Sequence, residues 1–164
     1  MENNTSAKFR EQYIMMVEWL NNYINTLSDE EFRLEISPGK NHGVWILGHL
    51  ISSDDDFSVY MGKGELLFPE YQKLFGQGSR LQPPESYPPV SELKNKWNML
   101  FEKNKKIYSE LKDHELDEIP ENADENFTGY FKTKGIVVMA WNLHQMYHGG
   151  QLGVLAVKAG KKMF

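Results

Sequence analysis

His144 and His148 stand four residues apart in the stretch Trp141-Asn-Leu-His-Gln-Met-Tyr-His-Gly-Gly-Gln151. On a helix that spacing puts both imidazoles on one face, one turn apart. Their ring nitrogens can then share a single metal ion at about 2.0–2.1 Å from each. A third imidazole, His49, lies far upstream in the apolar segment Val44-Trp-Ile-Leu-Gly-His-Leu-Ile51. A fold that brings His49 to the pair makes a three-histidine site with room for water or substrate. Taken alone, a His-x-x-x-His pair is more simply read as two histidines that hydrogen-bond within a core or at a surface.

The neighbours of the pair shift that balance. His144, His148 and Gln151 fall within about 60° of one another on a helix of 3.6 residues per turn, and Val137, Ala140 and Leu155 lie near the same stripe. This face should point into a core, where imidazoles without partners are costly; a metal would satisfy one nitrogen of each and a neighbouring acceptor the other. Gly149, Gly150 and Gly153 follow closely, each costing about 1 kcal/mol relative to alanine inside a helix. They imply close packing of another helix or space for a ligand. Leu143 precedes His144 and Gln145 follows it, so the glutamate of a His-Glu-x-x-His protease is missing.

Around His49, Trp45 lies one turn earlier, and Ser52, Ser53 and Asp56 follow on the same face at offsets of three, four and seven. Asp56 is the best acidic candidate for a base or for a group that orients a ligand. The preferred reading is nevertheless a solvated carboxylate within the run Asp54-Asp55-Asp56. His42 falls in an expected loop and His114 in an acidic connection; neither has a supporting pattern. There is no Gly-rich phosphate loop, Gly-x-Ser-x-Gly elbow or deaminase signature.

The elements that must position these residues read as helices. The first carries Phe9, Tyr13, Met16, Val17, Leu20, Ile24 and Leu27 at three- and four-residue intervals, with Thr5 or Ser6 as its expected cap and Ser28-Asp29 at its end. The second is expected from about Val44 to Met61. The third is expected from about Val90 to Leu111, with Ser91 as its cap. The fourth is expected from about Thr133 to Ala159, ending at Gly160 with Lys158, Lys161 and Lys162 suited to the helix dipole. No alternating run makes a strand. The expected fold is all-α, a four-helix bundle with a long, ordered link between the second and third helices, in one domain over residues 1–164. The link, residues 62 to 90, has a short helix expected within Phe68-Pro-Glu-Tyr-Gln-Lys-Leu-Phe75, and its aromatics favour packing over disorder. Residues 113 to 133 hold seven acidic side chains between Asp113 and Glu125 with no Lys or Arg there, and read as a solvated connection.

Composition narrows the function. A formal charge of −5 gives no basic footprint for displacing counterions from nucleic acid. The chain has no cysteine, which removes disulfides, thiolate ligands and a thiol nucleophile of its own. The first ten residues contain no apolar h-region, and no run approaches 18 apolar residues, so the expectation is a cytoplasmic protein with no signal peptide and no membrane span.

Three stretches together resemble the DinB-like superfamily of metal-dependent four-helix-bundle proteins: Trp45-Ile-Leu-Gly-His-Leu50, Phe75-Gly-Gln-Gly-Ser79 and His144-Gln-Met-Tyr-His-Gly-Gly-Gln151. The resemblance spans nearly the whole chain. It implies a metal held by one histidine of the second helix and two of the fourth, which here are His49, His144 and His148, with Gln151, Trp45 and Ser53 around them. It further implies a small-molecule enzyme, in some relatives a transferase that uses a low-molecular-weight thiol, in others an isomerase or hydrolase. On this reading the ion is divalent, Zn or Ni, and no residue is assigned a catalytic role beyond Asp56 as a candidate. The competing expectation is a non-catalytic bundle that a metal stabilises or that binds a ligand or partner. Relatives of this kind are often dimeric, so a homodimer is expected, with Tyr60, Phe68 or Tyr71 as contributors.

Overall fold

The computed structural model describes residues 4–123 and 125–161. Four long helices build the frame: α1 (Thr5–Thr26), α3 (Gly43–Tyr60), α5 (Val90–Glu110) and α7 (Lys134–Lys158). Three short ones lie between them, α2 (Asp29–Phe32), α4 (Pro69–Phe75) and α6 (Glu125–Tyr130). No strand occurs among the described residues, only an isolated bridge between Glu35 and His42.

Side-chain contacts fix the helix directions. Gln12 meets Asn142, Leu20 meets Gly149 and Tyr23 meets Gly153, so α1 and α7 run parallel. His49 meets His144 while Gly43 meets Leu155, so α3 runs against α7. Tyr13 stacks on Tyr108 while Asn21 binds Trp97, so α5 runs against α1. It follows that α3 and α5 run in the same direction. Two consecutive parallel helices cannot be joined by a tight turn; the chain must travel back along the bundle, about 27 Å for an 18-residue helix. This return is the physical reason for the long link.

The link is ordered by packing. Phe68, Tyr71, Phe75 and Tyr87 enter the core, and the expected short helix forms as α4. Gly48 lets the two layers touch, because a Cβ placed there would lie 2.2 Å from the Phe75 ring. The charged run Asp54-Asp55-Asp56 departs most from expectation. Asp54 and Asp55 are buried. Asp55 accepts the backbone N–H groups of Leu67 and Phe68 at 3.0 and 2.8 Å and pairs with Lys103 at 2.8 Å, pinning the link to α3 and α5. Asp54 accepts the Tyr13 hydroxyl, and burial raises its pKa to about 6.

Helix starts differ in detail. Asn4, rather than Thr5 or Ser6, caps α1 by accepting from Ala7 N. Pro89 occupies the cap position of α5, one residue before the helix begins at Val90, so Ser91 lies inside the first turn. Leu27 is the C-cap of α1, and Ser28 opens α2 through a reciprocal capping box with Glu31. Lys158 and Lys161 sit at the end of α7, with Lys158 donating to the Glu35 carbonyl; Lys162 lies outside the described residues.

The acidic connection is more structured than a solvated loop. It forms a 3-10 turn at Asp113–Asp117 and then α6. Buried Lys134 joins it to α7 through Glu118 and Glu121, at 2.8 and 3.5 Å. Phe68 and Tyr71, expected at a dimer surface, are core residues instead, and Tyr60 is half-buried. Among the described residues, no helix is long and apolar enough to cross a membrane.

Candidate metal centre

His49, His144 and His148 converge where α3 crosses α7, with one ring nitrogen of each within 4.8 Å of the others. Their ring centroids lie 4.6–5.1 Å apart. Two of the outward nitrogens are held by acceptors. His49 Nδ1–H donates to the Phe75 carbonyl at 2.6 Å, and His148 Nδ1–H donates to Gln151 Oε1 at 2.8 Å. Each bond selects the tautomer whose Nε2 lone pair is free. His49 Nε2 and His144 Nε2 face each other at 3.2 Å. Trp45 stacks on His49 at 4.7 Å, nearly parallel, and donates its indole N–H to Ser79 Oγ.

The electrostatics suit metal binding, which requires neutral imidazole. Burial lowers the pKa of His144 to about 4, helped by the positive charge that His148 and His49 would carry. Burial likewise takes His148 to about 4, opposed by its bond to Gln151 and reinforced by His49. His49 is lowered by burial against the pull of the Phe75 carbonyl. Four ligands arranged tetrahedrally at about 2.1 Å lie roughly 3.4 Å apart, so three nitrogens already this close need little movement to fit a divalent ion. The donor set fits.

A cavity of about 440 Å³ opens beside His49 and His144, within the range of small-molecule sites. The stripe on α3 that includes Ser52, Ser53, Asp56 and Tyr60 forms one wall, Gln72, Gly76 and Gln77 of the link another, and Phe127, Phe131, Ala140 and Trp141 the third. Ser53 donates its hydroxyl to the His49 carbonyl at 2.8 Å, and its own carbonyl accepts the Trp141 indole. Asp56 is not a solvated carboxylate. It lines the cavity, accepts from Gln72 Nε2 at 2.9 Å, and has its pKa raised to about 6 by burial and by Asp55.

The structure thus brings together His49, His144, His148, Gln151, Trp45, Ser53 and Asp56. His42 proves structural: its Nδ1 accepts from Trp45 N to cap α3 and its Nε2–H donates to the Gln82 carbonyl. Gly149 meets Leu20 and Gly153 meets Tyr23, which is close helix packing, whereas Gly150 faces open space. Sequence reasoning missed Gln72, Phe127 and Phe131 as cavity residues. Only the motif Phe75-Gly-Gln-Gly-Ser79 signalled that the link takes part, through the Phe75 carbonyl and the Ser79 hydroxyl.

An all-helical bundle with three inward histidines on two of its helices defines a class of metal-site protein. The sequence model of the DinB superfamily matches residues 14–152, and the chain belongs to that superfamily. No curated protein matches the chain. Among solved structures, one described as the conserved protein of locus from Enterococcus faecalis shares the fold with a TM-score of 0.71. It is 14% identical, and the match covers 96% of this chain and 99% of that one.

Proposed function

We propose that this chain is a divalent-metal-dependent enzyme, with Zn or Ni at His49, His144 and His148, acting on a small molecule as a thiol transferase or hydrolase. The observation that supports it is the convergence of the three histidines beside a cavity of about 440 Å³ that His49 and His144 line. When bound, an ion held by three neutral nitrogens supplies Lewis-acid activation of a water or of an added thiol. The chain's own contribution is orientation. The Phe75 carbonyl and Gln151 hold protons on the outer nitrogens of His49 and His148, and Trp45 fixes the plane of His49. With no cysteine in the chain, any sulfur nucleophile must belong to the substrate, which makes a low-molecular-weight thiol the natural co-substrate.

Metal analysis of protein purified without a histidine tag tests the site. About one ion per chain is expected, lost in His144→Ala; a stoichiometry near zero, or one unchanged in that variant, overturns it. Chelation tests catalysis. If removing the metal lowers the melting temperature and no thiol-transfer or hydrolytic reaction depends on it, the non-catalytic, metal-stabilised bundle is the correct description.

We further infer self-association through α1 and α7. Met15, Trp19, Ile136, Met139, Leu143, Tyr147, Val154 and Val157 are all exposed. No Asp, Glu, Lys or Arg occurs between Lys134 and Lys158. These eight side chains offer on the order of 900 Å², against about 800 Å² per partner in a standard interface, and charge depletion of this kind marks interface centres. A second copy presenting the same neutral α7 stripe, with Met15 and Trp19 beside it and the exposed Glu11 and Glu18 of α1 at its rim, is the occupant that this area fits.

A further inference from the structure

The cavity runs along α3 away from the histidines. Asp56 stands seven residues beyond His49 on the same face, a rise of about 10.5 Å. A proton acceptor for a group held at the histidines would have to come within about 2.6–3.2 Å of it. Asp56 therefore faces the far end of whatever fills the cavity.

That end has a definite chemistry. Gln72 Nε2 occupies Oδ1 of Asp56, and no ion pair reaches the carboxylate from any described residue. Among the described residues, no lysine or arginine lines the cavity. Ser52, one turn before Asp56 and also in the lining, has a buried hydroxyl without a hydrogen-bond partner. The aromatic wall is continuous: Tyr60 stacks on Phe127 at 4.0 Å, and both Tyr60 and Phe131 meet Trp141 edge to face at 5.5 and 5.6 Å. Aromatic rings attract a cation over any face left uncovered, and a half-buried carboxylate without a counter-charge is stabilised by gaining one. Both features repel an anion and favour a soft cation with apolar surface.

We propose that the Asp56 end of the cavity binds the ammonium group of a small organic cation. On the metal-centre reading, on which this part rests, the substrate then carries a metal-ligating donor at one end and an ammonium roughly 10 Å away. The ammonium site itself does not depend on that reading.

The test uses choline and its neutral isostere 3,3-dimethylbutan-1-ol, titrated calorimetrically into the full-length chain at pH 8 and constant ionic strength. Choline has a quaternary nitrogen that cannot ligate a metal, and the two molecules match in shape, so their comparison isolates charge. Choline should bind at least about tenfold more tightly than the isostere, and Asp56→Asn should reduce that preference to less than about twofold. Equal binding of the two probes, no saturable choline binding, or a preference that survives Asp56→Asn overturns the proposal. Zinc and nickel contents are measured on the same wild-type samples. A choline preference without either metal removes the metal reading and leaves this one standing; bound metal without a choline preference removes this one alone.

Discussion

Replacing Gly48 by alanine should weaken metal binding as well as the fold. The new Cβ would lie 2.2–2.4 Å from three carbons of the Phe75 ring, so the ring must retreat by more than about 1 Å to reach ordinary contact. Overpacking of this kind costs about 1–3 kcal/mol, and alanine returns about 1 kcal/mol of helix propensity. The net loss is then about 0–2 kcal/mol, or a fall in melting temperature of up to about 8 °C for a chain of this size. The Phe75 backbone moves with its ring, and its carbonyl is the acceptor that fixes the His49 tautomer. Loss of such an outer partner typically costs 10- to 100-fold in metal affinity. Competition for zinc against a chromophoric chelator would read the affinity, and thermal unfolding of the chelated protein would read the fold. Adding Phe75→Leu to Gly48→Ala should recover part of the affinity, because the double variant removes the clash and keeps the carbonyl. Zinc affinity within twofold of wild type in Gly48→Ala would refute the link between this contact and the ligand.

Three further outcomes are expected. Asp54 has its folded pKa raised from 3.8 to about 6 by burial, so its contribution to stability is fully present below pH 3.8 and is lost as pH rises through about 6, on the order of 3 kcal/mol; Asp54→Asn should flatten that slope in urea titrations across this range, and an unchanged difference between pH 4 and pH 7 would disprove it. Asp55→Ala should cost about 3–5 kcal/mol, because it leaves two link N–H groups unpaired and the Lys103 ammonium with only the Glu65 carbonyl, and a loss under 1 kcal/mol by chemical denaturation would contradict the pinning role. A Leu143→Glu/Tyr147→Glu double variant should be monomeric by light scattering where wild type is dimeric, whereas a monomeric wild type at high concentration removes the α1–α7 interface.

The four long helices and the His144/His148 pair were legible because both depend on local periodicity: apolar residues every three or four positions, and ligands at a spacing of four. His49 could be joined to the pair only through the family resemblance, since no local signal links positions 95 residues apart. The buried carboxylates were not legible for a related reason. Asp54-Asp55-Asp56 looks solvated in isolation, and its partners, Tyr13, Lys103 and the N–H groups of Leu67 and Phe68, come from three other parts of the chain. Nor could the parallel course of α3 and α5 be read, although the length of the link was its trace. The cap of α5 was misplaced because Pro89 already supplies the extended backbone that an entry needs, which leaves Ser91 without that task.

The link is pinned to α3 and its cap by polar contacts along its length: Asp55 at residues 67 and 68, Ser52 and Asp56 at Gln72, His49 at Phe75, Trp45 at Ser79, and His42 at Gln82. Between the pins at Phe75 and Ser79, residues 76 to 78 carry Gly76 and Gln77 of the cavity wall. A change of chain length there adds little closure entropy and leaves the flanking pins in place. Heredity, or an engineer, can thus recut the entrance of this cavity by insertion or deletion without disturbing the imidazoles behind it. The architecture separates the part that must stay constant from the part that is free to vary.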